Sequence, residues 1–84
     1  MTKYSATLST GGVVSRNSHR TYTHYWRAWG RDEANGFSGG DGGFAGSAEL
    51  ATRAVASTIS RLRKSGGHNA QFHSEIVEAK AEAA

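Results

Sequence analysis

Cysteine is absent from the 84-residue chain, which excludes a disulfide framework and a thiolate metal site and makes a reducing cytoplasm the natural compartment. Also absent is any apolar run approaching the roughly 20 residues that span a bilayer. The start, MTKYSATLST, carries one lysine without the apolar core of a signal peptide. A soluble, unprocessed, cytoplasmic protein with no membrane partner is expected. His19, His24, His68 and His73 show neither i, i+4 nor finger spacing, so a zinc site would need strand neighbours to bring His24 and His73 together; no metal is expected. The stretch SGGDGGFAGS precedes a helix start, where phosphate binds. It lacks the Lys-Ser/Thr pair of a P-loop and puts Asp41 where an anion would sit. No serine, histidine and acid stand in a nucleophile arrangement. The expectation is a protein that is not an enzyme, with no catalytic residues and no cofactor.

A chain this short buries only roughly 60 to 65% of its unfolded surface, so one domain over residues 1–84 is expected. The net charge is +3 and unevenly placed. Residues 1–31 hold Lys3, Arg16, Arg20, Arg27 and Arg31 without a single acid, together with every tyrosine and tryptophan. Residues 32–49 then carry only Asp32, Glu33, Asp41 and Glu49. Arg53, Arg61, Arg63 and Lys64 follow, and Glu75, Glu78 and Glu82 against Lys80 make the tail acidic. Blocks of opposite sign give a surface able to steer a charged partner.

Lys3 to Ser9 alternates with the period of a half-buried strand. Gly11 and Gly12 mark a bulge or a turn before Val13. Arg16 to His19 is turn-like, which suggests one long hairpin pairing Tyr4–Ser15 against Arg20–Gly30, with the two glycines opposite the aromatic strand. Asn35-Gly36 is a hairpin turn signal, with a short third strand around Phe37 as an option. The glycine-rich segment at about 38–46 reads as a flexible connector. Ser47 is a good N-cap for a helix running to about Ser65. Ala51, Ala54, Val55, Thr58, Ile59 and Leu62 lie on its core face, and Gly66 or Gly67 serves as its C-terminal cap. Ala70 to Val77 suits a closing strand, and the tail 79–84 is expected to fray. The fold class is α+β: an antiparallel sheet of three to four strands in ββ(β)αβ order, with one helix packed on one face.

The segment RTYTHYWRAWGR, Arg20 to Arg31, carries the functional question. Strand alternation puts Tyr22, His24, Trp26 and Ala28 on one face and Tyr25, Arg27 and Trp29 on the other. Tyr22 and Trp26 are assigned to the core with Tyr4, Leu8, Val55, Ile59, Leu62, Phe72 and Ile76. Tyr25 and Trp29 either cover neighbouring glycines and backbone or belong to a recognition surface, since Tyr, Trp and Arg dominate binding energy. The candidate partner-binding residues are Tyr25, Arg27, Trp29, Arg31, Arg20 and Arg16. On this reading the double change Arg27→Ala with Trp29→Ala would leave the fold intact and abolish binding. Two functions compete: a protein-binding inhibitor or adaptor, and a small basic nucleic-acid-binding protein that stacks single-stranded DNA or RNA bases on its aromatic face. Nothing in the pattern specifies an oligomeric state.

A short, cysteine-free, basic chain built from KYSATLS, RTYTHYWRAWG, AELATRAVASTISRLRK and AQFHSEIVEA in this order resembles the small phage-encoded anti-CRISPR proteins that inhibit type I surveillance complexes. The resemblance covers nearly the whole chain and is one of size, architecture and composition. It implies a protein of the bacterial host cytoplasm that binds a Cascade subunit and prevents target DNA engagement or nuclease recruitment. The basic residues would then meet acidic protein surface or lie beside the guide.

Overall fold

The structure, a computed structural model, describes residues 1–82 and is α+β, with one helix packed on an antiparallel sheet. Six strands form two three-stranded sheets rather than one. β1 (Thr2–Thr7) pairs with β2 (Val13–Ser18) from Thr2↔Ser18 to Thr7↔Val13. Between them the Leu8 N–H donates to the Gly12 carbonyl at 2.8 Å, and the Gly11 N–H donates to the Leu8 carbonyl at 2.9 Å. Gly11 has φ +90°, a left-handed conformation that closes a tight hairpin and that glycine adopts without penalty. The glycines therefore reverse the chain instead of bulging a continuous strand. The long hairpin of Tyr4–Ser15 against Arg20–Gly30 does not form, and Gly11 and Gly12 do not face the aromatic strand.

β3 (His24–Asp32) pairs along its whole length with β4 (Phe37–Ala45), from His24↔Ala45 to Asp32↔Phe37. The Asn35-Gly36 turn closes this second hairpin as expected. Gly36 has φ +69°, and the Asp32 carboxylate accepts from the Asn35 backbone N–H at 3.3 Å and its Nδ2 at 2.6 Å. The segment 38–46 is thus not a flexible connector, because all but its last residue lie in β4. Glycine's loss of freedom on ordering is offset by a full hydrogen-bonded ladder and by rings from β3 that need small residues beside them.

Ser47 caps α1 (Ala48–Leu62), its hydroxyl accepting from the Leu50 N–H at 3.1 Å. Ala51, Val55, Thr58 and Leu62 form the buried stripe, and Glu49 and Arg53 pair at i, i+4 on the solvent side. The α-helix ends three residues before Ser65. A single π-type turn, Arg63–Gly67, follows it, with Gly66 at φ +114° reversing the chain into β5 (Gln71–Glu78). β5 pairs with the free side of β3 from His24↔Glu78 to Arg31↔Gln71.

At Ala79 the chain changes sheets. The Ala79 N–H donates to the Thr23 carbonyl at 2.8 Å, and β6 (Lys80–Glu82) then pairs with β1 through Ser5↔Lys80 to Lys3↔Glu82. The tail is therefore paired through Glu82 rather than frayed; residues 83–84 lie outside the described residues. The sheet orders are β2-β1-β6 and β4-β3-β5. The radius of gyration is 14.1 Å and the extents are 46 × 23 × 16 Å. A compact chain of this length would give about 12 Å, so the molecule is elongated.

Its core is correspondingly thin. Tyr4, Ala6, Ala28, Ala45, Ala51, Val55, Leu62 and Thr58 are buried, while Ile76, expected inside, is 39% exposed. Trp26 and Phe72 serve the helix side as expected. Tyr22 lies outside β3 and escapes its alternation, yet it lines a groove with Leu50 and Ala54 of α1. It also joins Tyr4 (5.3 Å between centroids) and Phe44 (5.6 Å) in an aromatic cluster linking the two sheets.

A β-carbon on Gly30 would fall 2.5 Å from Phe72 Cε1. Gly30→Ala should therefore destabilise by about 1–3 kcal/mol in urea unfolding. Gly30→Ala with Phe72→Leu should lose clearly less than the sum of the single changes. Strict additivity would show that the ring and the glycine do not meet. Independently, Ser47→Ala should cost about 1 kcal/mol and Ser47→Gly only a few tenths, read from the same unfolding curves.

Candidate partner-binding surface

The period of β3 sends Tyr25, Arg27, Trp29 and Arg31 to the face away from α1. They stand level with Phe44, Gly42, Gly40 and Ser38 of β4 and with Val77, Glu75, His73 and Gln71 of β5. Tyr25 packs edge-on against Phe44 at 5.0 Å and lies across Gly42, where a β-carbon would fall 2.6 Å from the tyrosine hydroxyl. Trp29 stacks on His73, with centroids 5.6 Å apart and planes 30° apart. The Arg27 guanidinium sits 4.6 Å from the Trp29 ring centroid. Tyr25, Arg27 and Trp29 are consequently half-buried rather than projecting freely. Tyr25 thus covers Gly42 of the glycine strand, the first of the two roles weighed for the rings, while the Trp29 ring lies against His73 and Arg27.

Arg27 is also held by charge. Its Nη2 and Nε donate to Glu75 Oε2 at 2.8 and 3.1 Å, and the two side chains are only 25% and 13% exposed. Glu75 accepts two further hydrogen bonds from the β1–β2 turn, from the Ser9 N–H at 2.6 Å and the Ser9 hydroxyl at 2.8 Å. One carboxylate thus ties the first hairpin to β5 and to the aromatic face. The Ser9 backbone and hydroxyl donors, with a smaller contribution from Arg27, hold its pKa below the ordinary 4.5. Removing Arg27 and Trp29 together would take this pair and a half-buried ring out of the sheet. That double change lowers stability and does not isolate binding.

The remaining candidates divide into two groups. Arg31 lies at one end of the face and pairs with Glu33 at 2.9 Å in an exposed contact that contributes little to stability. It lines an open depression of about 630 Å³ with Trp29, Asp32, Glu33, Gln71 and His73. Arg16 and Arg20 lie off this face, Arg16 on β2 and Arg20 in the crossing from β2 to β3, both exposed. The Arg16 guanidinium stands 5.8 Å from the Tyr22 ring centroid. Lys3, the lysine of the acid-free first 31 residues, pairs with Glu82 at 3.5 Å.

Sequence reasoning missed Glu75, His73 and Phe44 as parts of this face. The β5 alternation that puts Glu75 and His73 on one side was legible, but their pairing with Arg27 and Trp29 depends on strand register. Phe44 was hidden inside the supposed connector. His24 and His73 do not converge: they fall on opposite faces of the sheet, His24 level with Glu78 and His73 level with Trp29.

Because the folded state lowers the pKa of Glu75, the unfolded chain binds more protons around that pKa, and stability rises with pH there. The contribution is fully present above about pH 4.5 and is lost as pH falls through the depressed value. Glu75→Gln should melt lower at pH 7 and show a shallower fall in stability between pH 5 and pH 3 than the unsubstituted protein. Parallel pH profiles would remove Glu75 from this role.

No protein-family model, no curated protein and no solved structure matches this chain.

Proposed function

We propose that the protein is a non-enzymatic binding protein that docks through the β3 face. Its partner would be a subunit of a type I CRISPR surveillance complex in the bacterial host cytoplasm, as the resemblance to anti-CRISPR proteins implies. Bound there, it would block target DNA engagement or nuclease recruitment. The observation that carries a protein partner is the charge state of the face: both arginines flanking Trp29 already hold carboxylates, Arg27 with Glu75 and Arg31 with Glu33. A phosphate backbone approaching Arg27 would meet Glu75 as well and would have to displace a pair fixed by Ser9. A protein surface faces no such conflict. Trp29, stacked between the Arg27 guanidinium and His73 at the rim of a depression, is the rigid aromatic type of anchor that most often dominates protein interfaces.

The test is capture of a purified type I surveillance complex by the immobilised protein, run beside gel shifts with single-stranded and duplex DNA and single-stranded RNA. Arg31→Ala and His73→Ala report on the face, since both side chains are exposed and should leave the melting temperature within a few degrees. Capture that weakens tenfold or more in His73→Ala, without a nucleic-acid shift, is the expected outcome. A salt-sensitive gel shift without capture would instead identify a nucleic-acid binder. Capture unchanged in both variants would move the interface off this face.

A further inference from the structure

At the opposite end of β3 from the Trp29 depression lies a groove of about 360 Å³. Tyr22, Trp26, Phe44, Leu50 and Ala54 line it, with Arg20 at its lip. Leu50 stands in the first turn of α1 and is 51% exposed, a large aliphatic side chain left open beside three aromatic ones. Five cations among the described residues hold carboxylates: Lys3, Arg27, Arg31, Arg53 and Arg61. Arg20 and Arg16 are in none of these pairs. Arg20 is part of the groove's lining, and Arg16 lies outside it with its guanidinium 5.8 Å from the centroid of the Tyr22 ring, which is part of it. Glu49, which precedes Leu50 in the chain, is not part of the lining and is bound by Arg53 at 2.7 Å.

We infer that this groove is a second docking site, for an acidic segment of a partner protein that inserts one aliphatic or aromatic anchor between Trp26, Phe44 and Leu50 and sets its carboxylates against Arg20 and Arg16. The occupant follows from the pairing of chemistries. An apolar floor of this size accepts a side chain and its flanking backbone, and two arginines without acidic partners among the described residues supply the complementary charge and steer the approach. A neutral apolar segment would leave both arginines unused, and a nucleic acid would leave Leu50 and the aliphatic floor uncovered. Phe44 belongs to both this groove and the β3 face, but no lining residue is shared with the Trp29 depression, so the two docking sites can be tested separately.

The experiment is selection from a random displayed heptapeptide library on the immobilised wild-type protein. The selected peptides are then synthesised and titrated by fluorescence polarisation, and in Trp29→Phe by intrinsic emission. That variant keeps a ring at 29 and leaves Trp26 as the sole tryptophan of the two. Expected are peptides with several Asp or Glu around one Leu, Ile or Phe, which shift Trp26 emission and bind tenfold or more weakly to Arg20→Glu and to Leu50→Asp. Both substituted side chains are exposed, and melting curves confirm that the variants fold. Affinity should also fall between 50 and 500 mM salt, as the Debye length drops from roughly 14 to about 4 Å. His73→Ala should bind the peptides as the wild type does. No enrichment, enrichment without acidic residues, binding unaffected by Arg20→Glu, or a single-stranded DNA shift abolished by Arg20→Glu in place of peptide binding would each overturn the inference.

Discussion

Aromatic rings laid over glycines are the contact on which the rest of this structure depends. Phe72 occupies the space above Gly30, Phe37 that above Gly67, Tyr25 that above Gly42, and Trp26 lies in ordinary contact over Gly43. At the first three places a β-carbon would compete with a ring, so those glycines act as sockets. The need arises because the helix buries a stripe made largely of small residues, and no large side chain is completely enclosed. A thin layer of alanine and backbone cannot exclude water from a ladder of nine residue pairs on one side of β3 and eight on the other unless rings cover it. An aromatic ring supplies that cover over a large area, with few torsions to freeze.

The same packing gives the candidate surface its character. Tyr25 is held on one side by its seat on Gly42 and Trp29 by its stack on His73, so both rings are preorganised before any partner arrives. Arg27 completes the layer, lying over Trp29 and ending on Glu75. Glu75 in turn accepts from Ser9, so the orientation of the first hairpin is coupled to the charge state of the aromatic face. Balanced charge here, and arginines at the other end of β3 that pair with no acid among the described residues, divide the molecule electrostatically. The total of +3 conceals that division.

Much was legible from local patterns. The Ser47 cap, the buried stripe of α1, the left-handed glycine after the helix and the Asn35-Gly36 turn each depend on a few adjacent residues, and each stands where the chain pattern puts it. The alternation that places Tyr25, Arg27, Trp29 and Arg31 on one face of β3 is equally local. The glycine-rich segment misled because a strand's stability belongs to its neighbours. Phe37–Ala45 has little reason to be extended except that β3 lies beside it with rings to seat.

The sequence by itself determined the α+β class, the helix and its buried face, the two chain reversals at glycine, and the sidedness of the aromatic strand. Those features are set by backbone preference and by periods of 2 and 3.6 residues, which act over a turn or a strand. Only the tertiary structure decided which strands pair, that two sheets share one continuous stretch of chain through Ala79, and that Tyr22 meets Tyr4 and Phe44. It likewise decided that Glu75 reaches both Arg27 and Ser9, partners 48 and 66 residues away along the chain. Such contacts form between segments that carry no local record of each other, and they depend on register, ring size and the space a missing β-carbon leaves.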